Sequence, residues 1–417
     1  MKILSVYRQD TAVGYYRQRV PGRILKSLGH DIEVAGPYGE LRPDNIKLLD
    51  SESLKPVPSG ARKIVAFFME RLEQGIELFI HDRCTDSEEQ ENYADFRHYS
   101  PGCKMICDFD DDFMNVPTWN PAKRLYYPGK SAYETGLYEL KLAEMVTVST
   151  RELQEAYAGY SHRIHVAPNY IDPQEWEGWP VDPCRAGDDC IRILYGGASG
   201  HYGDMDEAKE GLQEVLLNPP VPIRLITMGA VPKWIHDIKR TCPEAAARVI
   251  TLPWVIFADY PAAVAWGGFD IAIAPLASHP FNDAKSWIKW EEAAIQKIAF
   301  LGSNVGPYVP IPDDCAVKTD NTPQAWKENL TELILNADLR RRLTEKSYEL
   351  VRETCLPAHG AKVWDNILSE LSSAPRINSL EDTWLPGEAH LSFLDPSEKR
   401  DLSLEQGGPD NAHGSHD

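Results

Sequence analysis

Lys285, Lys289 and Glu292 stand in the stretch Pro280-Phe-Asn-Asp-Ala-Lys-Ser-Trp-Ile-Lys-Trp-Glu-Glu292, just after the apolar run Phe269–Leu276. The run reads as a strand, the next residues as a loop, and helical spacing begins near Ser286. Lys285 falls at that start and Lys289 one turn on, on the same face. Two ammonium groups at a helix N-terminus make a place for a diphosphate. Glu292, three residues past Lys289, can accept hydrogen bonds from a ribose diol. The same spacing also suits an ordinary amphipathic helix with solvated charges.

Three further clusters carry chemistry. The turn Tyr195-Gly-Gly-Ala-Ser-Gly-His201 follows an apolar run, and Gly196 and Gly197 allow close backbone approach to a ligand. His201 can donate to a phosphate or a sugar. Asp108-Phe-Asp-Asp-Asp112 follows another strand. Paired acids there either hold Mg2+ or Mn2+ through carboxylate oxygens or take hydrogen bonds from hydroxyls, or cap the loop; we expect no metal. Arg17 opens a helix after the first strand, and Arg83 follows a later one. His81 and His98 are spare acceptor contacts, though a lone histidine has many structural uses.

The elements that must position these residues alternate strand and helix. Strands are expected at Lys2–Tyr7, Asp31–Ala35, Ile76–His81, Lys104–Phe109, Met145–Ser149 and Arg163–Ala167, with helices such as Arg17–Leu28, Ala61–Glu73 and Ser131–Glu144 between them. A loose linker at about 172–189 precedes a second series that begins at Ile191–Tyr195. This alternation implies parallel βαβ units. The expected fold is α/β, with two Rossmann-like, doubly wound parallel-sheet domains facing across a cleft. They span 1–175 and 190–372, the last helix packing back on the first domain. An acidic tail at 373–417 has a composition suited to disorder.

The chain has 417 residues, 43% hydrophobic and 25% charged, and a net charge of −20. A field of that sign opposes nucleic acid and anionic lipid surfaces, without ruling out a local basic site. No apolar run is long enough to span a bilayer, and the N-terminus does not read as a signal peptide. Reduced thiols and a cytoplasmic location are therefore expected. The eight cysteines include Cys103 and Cys107 at C-x3-C spacing, but no second pair stands at zinc-site spacing.

Several segments, in order, resemble one family. Asp270-Ile-Ala-Ile-Ala-Pro-Leu276, Pro280–Glu292 and Lys297-Ile-Ala-Phe-Leu-Gly-Ser-Asn-Val-Gly-Pro-Tyr308 look like the C-terminal half of family 4-like GT-B glycosyltransferases of a bacterial and phage type. Gly196, Gly197, Ser199 and His201 lie in its glycine turn. Val146-Thr-Val-Ser-Thr150, Ala167-Pro-Asn-Tyr170 and Tyr16-Arg-Gln-Arg-Val-Pro21 match N-terminal-half segments. The resemblance covers about residues 1–372.

It implies a retaining, metal-independent transfer from a nucleotide-diphosphate sugar to a glycan, a lipid-linked sugar or another hydroxyl, with no cofactor. Lys285, Lys289, His201 and Arg17 would carry catalysis. Glu292, Gly196, Gly197, Ser199, Ser286 and Asn282 would hold the donor. Asp110, Asp111, Arg83 and Asn169 would face the acceptor.

There are departures. Ala284 replaces the first of the family's two glutamates, Tyr170 its glycine after asparagine, and Lys297 and Ala299 its Gly-x-Pro, which should alter a turn rather than the site. Rival readings are a non-catalytic nucleotide-sugar or glycan-binding protein and a sugar-nucleotide 2-epimerase of the same architecture. An NAD-dependent oxidoreductase lacks its G-x-G-x-x-G.

Overall fold

The computed structural model describes residues 1–7, 11–36, 71, 74–85, 100, 102–161 and 163–377. Most of the expected helix at 61–73, His98 and the tail beyond 377 lie outside the described residues.

Two six-stranded sheets form, and every pairing in them is parallel. The first contains β1 (Lys2–Val6), β2 (Asp31–Ala35), β3 (Leu78–Asp82), β4 (Lys104–Phe109), β5 (Met145–Val148) and β6 (Ile164–Val166), in the order β2-β1-β3-β4-β5-β6. The second contains β7 (Ile191–Gly197), β8 (Ile223–Gly229), β9 (Val249–Leu252), β10 (Ile271–Ala274), β11 (Ala299–Ser303) and β12 (Val317–Thr319), in the order β12-β11-β10-β7-β8-β9. Read from its other edge, that is the 3-2-1-4-5-6 order of a dinucleotide fold. Strands such as Ile271-Ala-Ile-Ala274 are buried at every residue. Unbroken apolar runs of this kind suit a parallel sheet covered on both faces.

Strand order reverses between β1 and β3 in one sheet and between β7 and β10 in the other. Crevices outside the carboxyl ends of strands at such points are where α/β sheets bind ligands. The Tyr16–Pro21 segment follows β1 and Arg83 follows β3. Gly196 and Gly197 end β7, and the Pro280–Glu292 stretch follows β10.

After β1 the chain forms a short helix (Ala12–Gly14), a π-helical turn (Tyr15–Arg19) and a longer helix (Val20–Ser27), not the single helix expected from Arg17. Pro21 has no N–H to give the preceding turn, which favours this break. The widened turn buries Tyr15, Tyr16, Arg17 and Gln18 together.

The linker is also more ordered than its composition suggests. Trp176 is fully buried at the end of the helix Pro173–Trp176, with its ring 5.9 Å from that of Tyr260. Arg185 fastens the rest to the second domain through Asp270 at 2.6 Å and the carbonyl of Gly268 at 3.0 Å.

One apolar core runs through both domains, from Ile3, Tyr15 and Ile24 to Leu194, Phe257, Trp290 and Phe300. The final helix (Pro357–Ser373) lies on the helix Val20–Ser27, where a side chain at Gly360 would collide with Ile24 and Tyr170. Lys104 Nζ donates to the carbonyls of Ser372 and Ala374, each at 2.9 Å. No helix among the described residues is long and apolar enough to cross a membrane.

Candidate functional site

The first domain contributes a wall built around β4. Of its four acids, two are spent on structure. Asp108, buried on the strand, takes both arms of Arg17, Nε at 2.9 Å and Nη2 at 2.6 Å, and a third bond from Thr147 Oγ1 at 2.6 Å. Asp112 closes the loop by accepting from the amides of Met114 and Asn115 and from Asn115 Nδ2 at 2.7 Å. Asp111 pairs across the gap with Lys285, and Asp110 stands beside it in the loop. Burial and the adjacent Asp111 charge push the Asp110 carboxyl above the usual range. Arg83 lies near Asp110 but stacks on aromatic rings, its guanidinium 4.5 Å from the Tyr126 centroid and 5.2 Å from that of Phe113. His81 is buried, and its register partner is Cys107, so it leaves the sheet on the face opposite Asp108.

Arg17 also corrects an expectation. It is 3% exposed, and its Nη1 donates to the Ala167 carbonyl at 2.6 Å and to Asn169 Oδ1 at 3.0 Å. With so many of its N–H groups committed and the side chain sealed, it cannot reach a donor phosphate in this arrangement. It holds Asp108 and Asn169 in place.

The second domain contributes the opposite wall. Lys285 and Ser286 lie just before the helix Ile288–Ile295, not inside it, because a short helix (Pro280–Asp283) intervenes. Lys289 is in the first turn, and its Nζ is 3.1 Å from Glu292 Oε2. Burial alone would lower the lysine's pKa, but the Glu292 charge overrides it and keeps the ammonium charged. Glu292 is 5% exposed and also accepts from Tyr16 Oη of the first domain at 3.2 Å. A cavity of about 20 Å³, room for one water, is lined by Gly196, Tyr260, Lys289 and Glu292.

Gly196 has a steric reason to be glycine: a Cβ there would sit 2.7 Å from Tyr260 Oη. Ser199 is exposed beyond it. His201 Nδ1 is 2.8 Å from Asp204 Oδ2. Asp204 is buried, which alone would raise its pKa. Bonds from His201, the Ala277 amide and Asn282 Nδ2 outweigh that and hold it low. Asn282 is the second correction. It is fully buried behind the loop, with its Nδ2 shared between Asp204 and the Ala277 carbonyl, so it braces the site and does not line it.

The walls meet at residues 284–286. Thr150 Oγ1 donates to the Ala284 carbonyl at 2.7 Å, Lys285 Nζ is 2.8 Å from Asp111 Oδ1, and Asn169 Nδ2 donates to Ser286 Oγ at 2.8 Å. A hydrogen-bonded chain therefore runs from Asp108 through Arg17 and Asn169 to Ser286. A second bridge is apolar: Trp119 packs so closely on Gly203 that a Cβ there would be 2.4 Å from its ring, and the Trp119 and His279 rings are 5.3 Å apart.

Tyr16, Trp119, Tyr260 and Trp254 are site residues that sequence reasoning missed. Tyr16 lay beside Arg17 in a motif already singled out. Trp254 is 57% exposed at the carboxyl end of β9, against Gly229. A larger hollow of about 650 Å³, flanked by Trp179 and Trp266, does not border Lys285, Lys289 or Glu292.

No family model matches the chain, and no curated protein matches it. Solved structures do. A glycosyltransferase from Rickettsia africae superposes with a TM-score of 0.60 at 14% identity, covering 90% of this chain and 99% of its own. HepE of Anabaena, solved with UDP and glucose, gives 0.57 at 12%, covering 89% and 100%. A putative UDP-N-acetylglucosamine 2-epimerase from Listeria monocytogenes gives 0.55 at 11%, covering 90% and 98%. At such identities the likeness establishes the shared architecture, the two-domain α/β fold called GT-B.

Proposed function

We propose that the protein is a glycosyltransferase that moves a sugar from a nucleoside-diphosphate sugar to a hydroxyl acceptor. The observation that carries this is the Lys289–Glu292 pair beside the glycine end of β7, at the point where the second sheet reverses. A cation and a carboxylate in that place suit a diphosphate and a ribose diol. HepE, a neighbour of the same fold, is described in complex with UDP and glucose.

In this reading Lys289, Lys285, His201 and the amides around Gly197 and Ser199 meet the diphosphate. Lys285 exchanges Asp111 for a phosphate oxygen when donor binds. Glu292 takes the ribose hydroxyls, and the exposed face of Trp254 stacks on the base. Ser286 completes the phosphate loop, and Arg17, Asn169 and Asn282 position it. Asp110 and Asp111, with Arg83 behind them, face the acceptor hydroxyl.

The glycosyl–oxygen bond breaks with its electron pair leaving on the diphosphate. The acceptor oxygen bonds to the anomeric carbon, and its proton passes to the departing phosphate. Fixed cations aimed at the charge that develops on the leaving group supply most of the rate. They make the transfer independent of a metal ion. In this reading the outcome is retaining, because the acceptor gives its proton to the departing phosphate and so attacks from that same face. The acceptor is a glycan, a lipid-linked sugar or another hydroxyl compound.

The test is a screen of UDP-, GDP-, dTDP- and ADP-sugars for thermal stabilisation and slow donor hydrolysis, without added Mg2+ or Mn2+. One donor should stabilise the fold and be hydrolysed, and Lys289→Ala should lose both. No stabilisation by any donor contradicts the reading. The Listeria neighbour's description favours one second reading, epimerisation of the sugar nucleotide. Interconversion of two donors with no acceptor and no free nucleoside diphosphate would select it.

A further inference from the structure

Behind the first-domain wall, on the opposite face of the sheet from Arg17, three metal-ligating side chains converge. A ring nitrogen of His81, the thiol of Cys84 and a carboxylate oxygen of Glu139 all lie within 4.8 Å of one another. They are 1%, 0% and 6% exposed. His81 is on β3, Cys84 follows it, and Glu139 comes from the helix Ser131–Leu142. Cys107, on β4, is the register neighbour of His81, so their side chains share a face. Its Sγ is 3.7 Å from Glu139 Oε2.

We propose that His81, Cys84, Glu139 and Cys107 form a structural zinc site. The donor set is the borderline-soft mixture of thiolate, imidazole and carboxylate that selects zinc over magnesium or calcium. Zinc bonds of about 2.0–2.3 Å in a tetrahedron place neighbouring ligand atoms about 3.3–3.8 Å apart. The Cys107–Glu139 separation already has that value; His81, Cys84 and Glu139 close by about an ångström from within 4.8 Å, and Cys107 swings in from outside that trio. The backbone is arranged for it: the Cys84 amide donates to Glu139 Oε2 at 2.9 Å, and His81 Nδ1 is 2.9 Å from the Asp82 carbonyl. His81 Nδ1 is also the ring nitrogen 3.8 Å from Glu139 Oε1, so ligation through it exchanges the Asp82 carbonyl for the ion.

Binding releases the two thiol protons to solvent and leaves two thiolates and a carboxylate around the dication. The ion would pin β3, β4 and the helix Ser131–Leu142 together directly behind Arg83. The C-x3-C pair contributes only Cys107. The other ligands are scattered between positions 81 and 139, which is why no spacing rule finds them. This inference does not depend on the donor reading.

The test is zinc content by mass spectrometry on the full chain, untagged, after one equivalent of zinc and gel filtration. About one zinc per chain is expected. Cys103→Ser should keep it, whereas Cys84→Ser and Cys107→Ser should lose most of it while retaining native circular dichroism. Should those variants not fold, cobalt loading of the wild-type chain decides: a thiolate-to-cobalt charge-transfer band supports the site. Less than about a tenth of an equivalent in the wild type, absence of that band, or full zinc content in folded Cys84→Ser overturns it.

Discussion

The two walls of the cleft use the same residue types and do opposite things with them. On the first-domain side, Arg17 and Asp108 are sealed, bidentate and fully engaged, each side chain 2% exposed. On the second-domain side, the Lys289 side chain is 34% exposed against a Glu292 side chain that is 7% exposed, and Lys285 reaches across to an Asp111 side chain that is 37% exposed. Burial decides the difference. A sealed ion pair is a strut, because breaking it strands a charge. A half-open pair can trade its partner for a ligand. Arg17, read from sequence as a catalytic residue, belongs to the first kind, and the two lysines to the second.

The sharpest way to break the comparison is Arg17→Ala. It leaves Asp108 buried and short of two bonds, and stability should fall by about 3–5 kcal/mol, read as the urea midpoint. Lys289→Ala should weigh on function instead, reducing donor turnover by about 10²–10³-fold, the loss typical of one electrostatic stabiliser, with native circular dichroism and a smaller stability loss than Arg17→Ala, because the buried Glu292 keeps its bond from Tyr16. Lys285→Ala should slow transfer while changing stability by no more than about 1 kcal/mol, since Asp111 is partly solvated.

A pH measurement sharpens the picture on the second wall. Burial pushes the Glu291 carboxyl up to about 8, against a bond from Trp287 Nε1 at 2.6 Å. The acid is neutral in the folded protein where it ionises in the unfolded chain. Stability should therefore fall as pH rises from about 4.5 to about 8 and level off above. Glu291→Gln should flatten that slope in urea titrations at several pH values. The smallest effect expected is at Lys297, where a non-glycine residue sits at φ 54° and closes the helix Ile288–Ile295. Lys297→Gly should relieve about 1 kcal/mol of strain, reduced by losing the ammonium 4.3 Å over the Tyr348 ring.

The architecture was legible because unbroken runs such as Phe269–Leu276 alternate with helical spacing, and periodicity needs no long-range information. Residues beside one another in sequence were also legible as a group, as Lys285, Lys289 and Glu292 were. Burial was not. Nothing in Tyr-Arg-Gln-Arg-Val-Pro says that the arginine turns inward, since Asp108 is 91 positions away. Asn282 looked like a loop residue free to meet a ligand, and only the fold brings Asp204 behind it. The aspartates Asp108, Asp110, Asp111 and Asp112 are chemically identical in sequence. Their split into struts and cleft-facing groups follows from which side of β4 and its loop each one leaves.

The central claim is that the second-domain wall binds the donor and the first-domain wall frames it. The most direct test is the dissociation constant of the stabilising nucleoside diphosphate, by titration calorimetry, for the wild type, Lys289→Ala and Asp111→Asn. Binding at least about tenfold weaker, about 1.4 kcal/mol, is expected for Lys289→Ala. Equal or tighter binding is expected for Asp111→Asn, which frees Lys285. Unchanged affinity in a folded Lys289→Ala protein would contradict the claim.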